Sequence, residues 1–77
     1  MKNYVYCLYN TLSKRYESVM SFASDGMALH RLSKNVDTTE FELCRVGSIS
    51  IEAGTIEPCS PVRLVWEKNE VLPKVEA

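Results

Sequence analysis

Asn3-Tyr4-Val5-Tyr6-Cys7-Leu8-Tyr9-Asn10, then Thr11-Leu12-Ser13-Lys14, then Arg15-Tyr16-Glu17-Ser18-Val19-Met20-Ser21-Phe22 is the stretch that decides the fold. The first segment alternates two apolar sets, Tyr4/Tyr6/Leu8 and Val5/Cys7/Tyr9. Aromatic and β-branched residues at period two predict a strand. The second segment predicts another, joined to the first by a four-residue turn. That turn length sets Tyr9 opposite Tyr16 and Cys7 opposite Ser18. An aromatic pair across the strands would help hold the hairpin. Which face of the hairpin is buried is left open by the pattern.

After the hairpin the period changes. Ser24-Asp25 supplies a helix N-cap, with Asp25 at the positive end of the dipole. The helix runs through Met27-Ala28-Leu29-His30-Arg31-Leu32-Ser33-Lys34. Its apolar stripe is Ala28, Leu29 and Leu32, extended by Val36. Arg31 and Lys34 fall on the polar side, and Asn35 is the expected C-terminal cap. Asp37 to Glu40 is a polar connector. Phe41 to Val46 is a third strand, and Gly47 marks a bulge or bend before Ser48 to Ile51 continues extended. Gly54 supplies a positive φ in the next turn. A short return strand starts at Ile56, interrupted by Pro58 and Pro61. The apolar run Val62 to Trp66 is placed at a sheet edge or across the surface. The expected architecture is α+β in the order β-β-α-β-β: a small antiparallel sheet of four to five strands with one helix packed on one face. Residues 1–66 form the single domain, and 67–77 are expected to be a flexible C-terminal tail.

Composition sets the outer bounds. The chain has 77 residues, of which 45% are hydrophobic and 25% charged. That is a globular balance for one domain. A domain of this size buries only roughly 60% of the surface its unfolded chain exposes. A second copy or a partner would stabilise so small a core, and a homodimer paired through an open strand edge is compatible with the sequence, which leaves the oligomeric state open. No apolar run reaches the length of a membrane span, and the first residues lack the pattern of a secretory signal. Cys7, Cys44 and Cys59 are widely spaced with no C-x-x-C pair, so reduced, semi-buried cysteines are expected. A Cys7–Cys44 bridge between neighbouring strands is conceivable, but the sequence does not support it.

The net charge of -1 conceals an asymmetry. Through Val36, five basic residues face two acidic ones. From Asp37 onward, four basic face eight acidic. One basic face on an otherwise acidic protein is compatible with that distribution.

Catalysis finds no residues to run on. His30 is the only histidine and has no second ligand at metal spacing. A Ser-His-Asp set cannot be built, and the three glycines form no phosphate loop. No enzyme activity, metal or cofactor is expected. The informative feature is local: all four tyrosines lie in the first 16 residues beside Lys2, Lys14 and Arg15. Rings that stack bases and cations that meet phosphates are the chemistry of single-stranded nucleic acid binding. The expected contacts are Tyr4, Tyr6, Lys14, Arg15 and Tyr16, with Arg31 and Lys34 as additional phosphate partners. Tyrosine also serves small sheets as a packing residue with a wet hydroxyl. An exposed strand edge that pairs with a protein partner is the competing expectation.

Several segments together resemble a known family. Tyr6-Cys7-Leu8-Tyr9-Asn10, Tyr16, and Phe22-Ala23-Ser24-Asp25-Gly26-Met27-Ala28 are followed by Phe41-Glu42-Leu43-Cys44-Arg45-Val46-Gly47-Ser48 and the stretch Gly54 to Pro58. In this order they resemble the small non-structural protein of gokushovirus-type members of the Microviridae, over about residues 4 to 66. Ser18-Val19 stands where that family often has Pro-Pro, and Ser50-Ile51-Glu52-Ala53 replaces its acidic turn. The resemblance implies a phage accessory protein in the host bacterial cytoplasm. Its role would be to bind single-stranded DNA, or the replication or capsid proteins, during the shift from genome replication to packaging. It carries no catalytic residues over.

Overall fold

The computed structural model describes residues 1–66; the expected tail at 67–77 lies outside the described residues. Four strands and one helix follow in the order β1 (Lys2–Asn10), β2 (Arg15–Phe22), α1 (Asp25–Leu32), β3 (Phe41–Ser50) and β4 (Ile56–Leu64). They form one antiparallel sheet, ordered β2-β1-β3-β4. This is a small α+β fold.

The topology follows from pairing. β2 and β3 both run antiparallel to β1, on its two sides. They are therefore parallel to each other, and no tight turn can join them. α1 makes the return along the sheet. Its start is fixed by Ser24, whose Oγ accepts from the Met27 N–H at 3.2 Å. It ends two residues earlier than Lys34. Ser33 is the C-cap at φ -61°, and Asn35 instead donates its Nδ2 to the Arg31 carbonyl at 2.8 Å. The side-chain amide meets a terminal carbonyl without the left-handed residue that a cap at Asn35 would need.

The first hairpin has the expected register at its tip, with Tyr9 opposite Tyr16. Asn10 organises the turn. Its Oδ1 accepts from the N–H groups of Leu12 (2.9 Å) and Ser13 (3.1 Å), and Lys14 takes φ 61°. Further along, the register differs from expectation. Tyr6 pairs with Met20 and Leu8 with Glu17, so β2 carries an extra residue there, and Ser18 sits at φ 58°. That irregularity removes the simple Cys7–Ser18 opposition. Cys7 pairs instead with Cys44 of β3.

β3 is one strand interrupted at Val46, where the register with both neighbours shifts. Gly47 is needed there for space. A Cβ on it would lie 2.5 Å from the Glu57 carbonyl oxygen on β4. Gly54 takes the expected positive φ, +73°, in the β3–β4 turn. The return strand is longer than its prolines suggest: β4 continues through Pro58 and Pro61 to Leu64. Pro58 faces Gly47 and Val62 faces Arg45, which leaves the residues between them outside the ladder. Edge strands tolerate proline because half their N–H groups have no partner strand. The chain then turns inward, and Trp66 donates its Nε1–H to the Phe41 carbonyl at 2.8 Å.

The buried cluster is Tyr6, Leu8, Leu43 and Ala28. Tyr4, Met20, Phe22, Leu29, Leu32, Val36, Phe41, Leu64 and Trp66 pack against it. Alternation therefore assigns Tyr4, Tyr6 and Leu8 to one face of the sheet, here the core face. Cys7, Tyr9 and Cys44 belong to the other.

Gly47→Ala is expected to destabilise the protein by ~1–3 kcal/mol, since β4 must shift to admit the methyl group. Urea unfolding read by Trp66 fluorescence measures it. An unchanged midpoint would contradict the close approach.

Candidate nucleic-acid interface

Tyr6 lies wholly inside the core, at 0% exposure. Its hydroxyl donates to Asp25 Oδ1 at 2.6 Å, and Asp25 Oδ2 accepts from Arg45 Nη1. Burial, and then the Asp25 carboxylate, hold the phenol far above the usual tyrosine range, so it remains a neutral donor. For Asp25, burial would raise the pKa, but the Tyr6 hydroxyl and the Arg45 guanidinium together outweigh it and hold the carboxyl below its ordinary value. This set joins β1, α1 and β3. It also takes Tyr6 out of reach of any base, which corrects the expectation that Tyr6 stacks on nucleic acid.

Tyr4 is on the same face and half buried. The Arg45 guanidinium stands over its ring, 5.7 Å from the centroid. It lines a shallow cavity of about 180 Å³ with Arg45, Ser48, Glu57 and Cys59. That cavity contains both charge signs, and Arg45 is already paired with Asp25.

The remaining tyrosines come together on the other face. The Tyr9 and Tyr16 rings are 4.9 Å apart between centroids and inclined at 56°. The Arg63 guanidinium of β4 stands over Tyr9, 5.7 Å from its centroid. Arg63 Nε also donates to Glu42 Oε1 at 2.9 Å. This geometry suits a cation–π contact. Tyr16 remains 52% exposed, so its ring can accept a stacked partner. Lys14 and Arg15 are exposed where the hairpin turns into β2, directly before Tyr16.

Of the seven residues expected from sequence, Lys14, Arg15 and Tyr16 therefore gather at one end of the sheet. Tyr4 and Tyr6 belong to the core face. Arg31 is exposed on α1 and Lys34 is exposed just beyond its end, and the structure does not bring them to the tyrosine pair. Lys34 Nζ lies 3.4 Å from His30 Nε2. Two members of the cluster, Tyr9 and Arg63, were missed by sequence reading. Tyr9 was within reach: once it is set opposite Tyr16, the two must share a face, and the parity of the strand separates them from Tyr4 and Tyr6. Arg63 was not, because its placement depends on the irregularity at Val46.

Two acidic groups flank the hairpin and share one amide donor. Glu17 Oε2 and Glu40 Oε2 both accept from Asn10 Nδ2, at 3.4 and 3.1 Å. Among the described residues no group of three or more His, Cys, Asp or Glu side chains is arranged to hold a metal ion. No helix among them is long and apolar enough to cross a membrane. Comparison with protein-family models, curated proteins and solved structures finds no match to this chain.

Asp25→Ala leaves the buried Tyr6 hydroxyl without its acceptor and is expected to cost ~1–3 kcal/mol. Asp25→Asn, which keeps an acceptor, should cost less. Because the folded pKa of Asp25 is depressed, its stabilisation is present above the unfolded carboxyl value of ~3.9 and disappears as pH falls through the lower folded value. Stability measured from about pH 5 to pH 2 should therefore fall less steeply in Asp25→Ala than in the parent chain. Parallel acid limbs would disprove the coupling.

Proposed function

We propose that this chain is a non-enzymatic accessory protein of a single-stranded DNA phage, acting in the host bacterial cytoplasm, and that it binds single-stranded DNA through the Tyr9 face of its sheet. In this reading α1 packs on the core face and leaves the opposite face to the ligand. The observation that carries the proposal is the Tyr9–Tyr16 ring pair with Arg63 over it, beside exposed Lys14 and Arg15. A base stacks on the open Tyr16 ring, and the three cations follow the phosphates. No base edge is read, so binding is sequence-tolerant. The family resemblance in Phe41 to Ser48 and the hairpin supports the phage assignment. The -1 charge of the chain is compatible with a local site, because Asp25 is neutralised by Arg45 on the core face, away from the Tyr9–Tyr16 pair.

A second reading is a protein-docking module that forms a homodimer or holds a replication or capsid protein. Val19, 74% exposed, and Ile56, 59% exposed, favour it. Both are apolar residues on the edge strands β2 and β4.

Fluorescence anisotropy with a labelled oligonucleotide across a salt series tests the first reading. Three phosphate contacts predict a slope of log affinity against log salt of about -2. Tyr16→Ala should weaken binding about fivefold or more, from a stacking contribution of ~1–3 kcal/mol. Arg31→Ala and Lys34→Ala should leave it nearly unchanged. Absence of binding at low salt, or binding insensitive to salt, would overturn the proposal. Capture of a replication or capsid protein that oligonucleotide does not displace would select the docking module.

A further inference from the structure

Two of the three cysteines are placed face to face by the sheet. Cys7 of β1 and Cys44 of β3 are direct partners, within a run that stays in register from Tyr6↔Arg45 to Asn10↔Phe41. Directly opposed residues in an antiparallel pair have Cα atoms about 4.5 or 5.5 Å apart, depending on the pair type. Both values fall inside the ~4.4–6.8 Å span that a disulfide bridges. The neighbours Tyr6, Leu8 and Leu43 all belong to the core cluster. By alternation both cysteine side chains then project from the opposite face, on the same side.

We infer that Cys7 and Cys44 form a cross-strand disulfide site, closed by exchange with a small-molecule disulfide such as oxidised glutathione, and that Cys59 takes no part in it. Both thiols are free in the structure. Cys44 is 1% exposed, whereas Cys7 is only half buried. Attack therefore starts at Cys7. Beside it on β2 the ladder is broken by the extra residue near Ser18, so this flank lacks a regular cross-strand neighbour.

The exchange balances in two steps. Cys7 loses its proton to solvent, and its thiolate attacks one glutathione sulfur, giving a mixed disulfide and one glutathione thiolate. Cys44 loses its proton, and its thiolate attacks the Cys7 sulfur and expels the second glutathione thiolate. Two protein thiols are oxidised and one small disulfide is reduced. The two released protons end on the glutathione thiolates. Burial, and next the Cys44 thiol, raise the Cys7 pKa. Closure is driven by proximity. Cys59 sits on edge strand β4, exposed, with its sulfur 3.8 Å from the Arg45 carbonyl oxygen.

The bond would tie the two central strands together and close the chain between them into one loop, which constrains the unfolded state. The test uses the full chain and Cys59→Ser, each equilibrated with oxidised glutathione, quenched, alkylated and weighed. In Cys59→Ser both thiols should disappear from alkylation, the mass should fall by two hydrogens, and the Cys7 and Cys44 peptides should migrate linked. The thermal midpoint should rise by several degrees. In the full chain, Cys59 should be the only cysteine not joined to another within the chain. Adding Cys44→Ser to Cys59→Ser should trap the glutathione adduct on Cys7. Glutathione retained on Cys7 while Cys44 stays alkylatable, a disulfide-linked dimer of Cys59→Ser, or two unreacted thiols would each overturn the inference.

Discussion

The fold turns on the buried hydroxyl of Tyr6. A phenol in the interior requires a partner, since an unmet hydroxyl there costs as much as several apolar contacts return. Asp25 provides the acceptor, and Arg45 keeps Asp25 ionised while occupying its second oxygen. These three side chains come from β1, α1 and β3, so one polar set aligns the central strand pair with the helix. Strand parity does the rest. With Tyr6 inside, Leu8 is inside and Tyr9 is outside. The exposure of the Tyr9–Tyr16 pair is in this sense a consequence of how one core hydroxyl is satisfied.

Period-two alternation, the turn at Thr11 to Lys14 and the switch to helical spacing at Ser24 made the element order readable in the sequence. The Tyr9–Tyr16 register followed from turn length alone. Three features were not readable. The irregularity at Ser18 has no glycine to announce it; a serine adopts φ 58° because the surrounding strand demands it. The continuation of β4 through Pro58 and Pro61 depends on its being an edge strand, which is a property of the assembled sheet. The burial of Tyr6 depends on Arg45, distant in sequence and brought near only by the β1–β3 pairing. For the same reason the tyrosines read as one cluster in the sequence divide into two, one per face.

Charge also reads differently in space. Counted along the chain, the acidic residues outnumber the basic ones by one. Placed in the fold, many acids have local tasks. Asp25 serves Tyr6 and Arg45, Glu52 pairs with the Met1 ammonium at 3.0 Å, and Asp37 accepts from Thr39 in the turn before β3. Glu42 is the acid that directly faces the tyrosine pair, and it holds Arg63 over Tyr9. An exposed pair of this kind is weak. A phosphate can compete for the same guanidinium, and Arg63 need not leave the ring to accept it.

Division of labour between the two faces explains how so short a chain can have a surface to offer. The large rings Tyr4, Tyr6, Phe22, Phe41 and Trp66 are all assigned to the core cluster or packed against it. That concentrates the apolar area on one side of a four-stranded sheet, where burial is most cooperative. The remaining two tyrosines then stay on the opposite side without loss of the core. Cys7 and Cys44 occupy the same side, between Tyr9 and the Val46 irregularity. An exposed ring beside cations at one end of a sheet offers stacking at a single point, which an extended ligand can use more readily than a compact one. The same reasoning separates this surface from the cavity beside Tyr4, where Arg45 is committed to holding the fold.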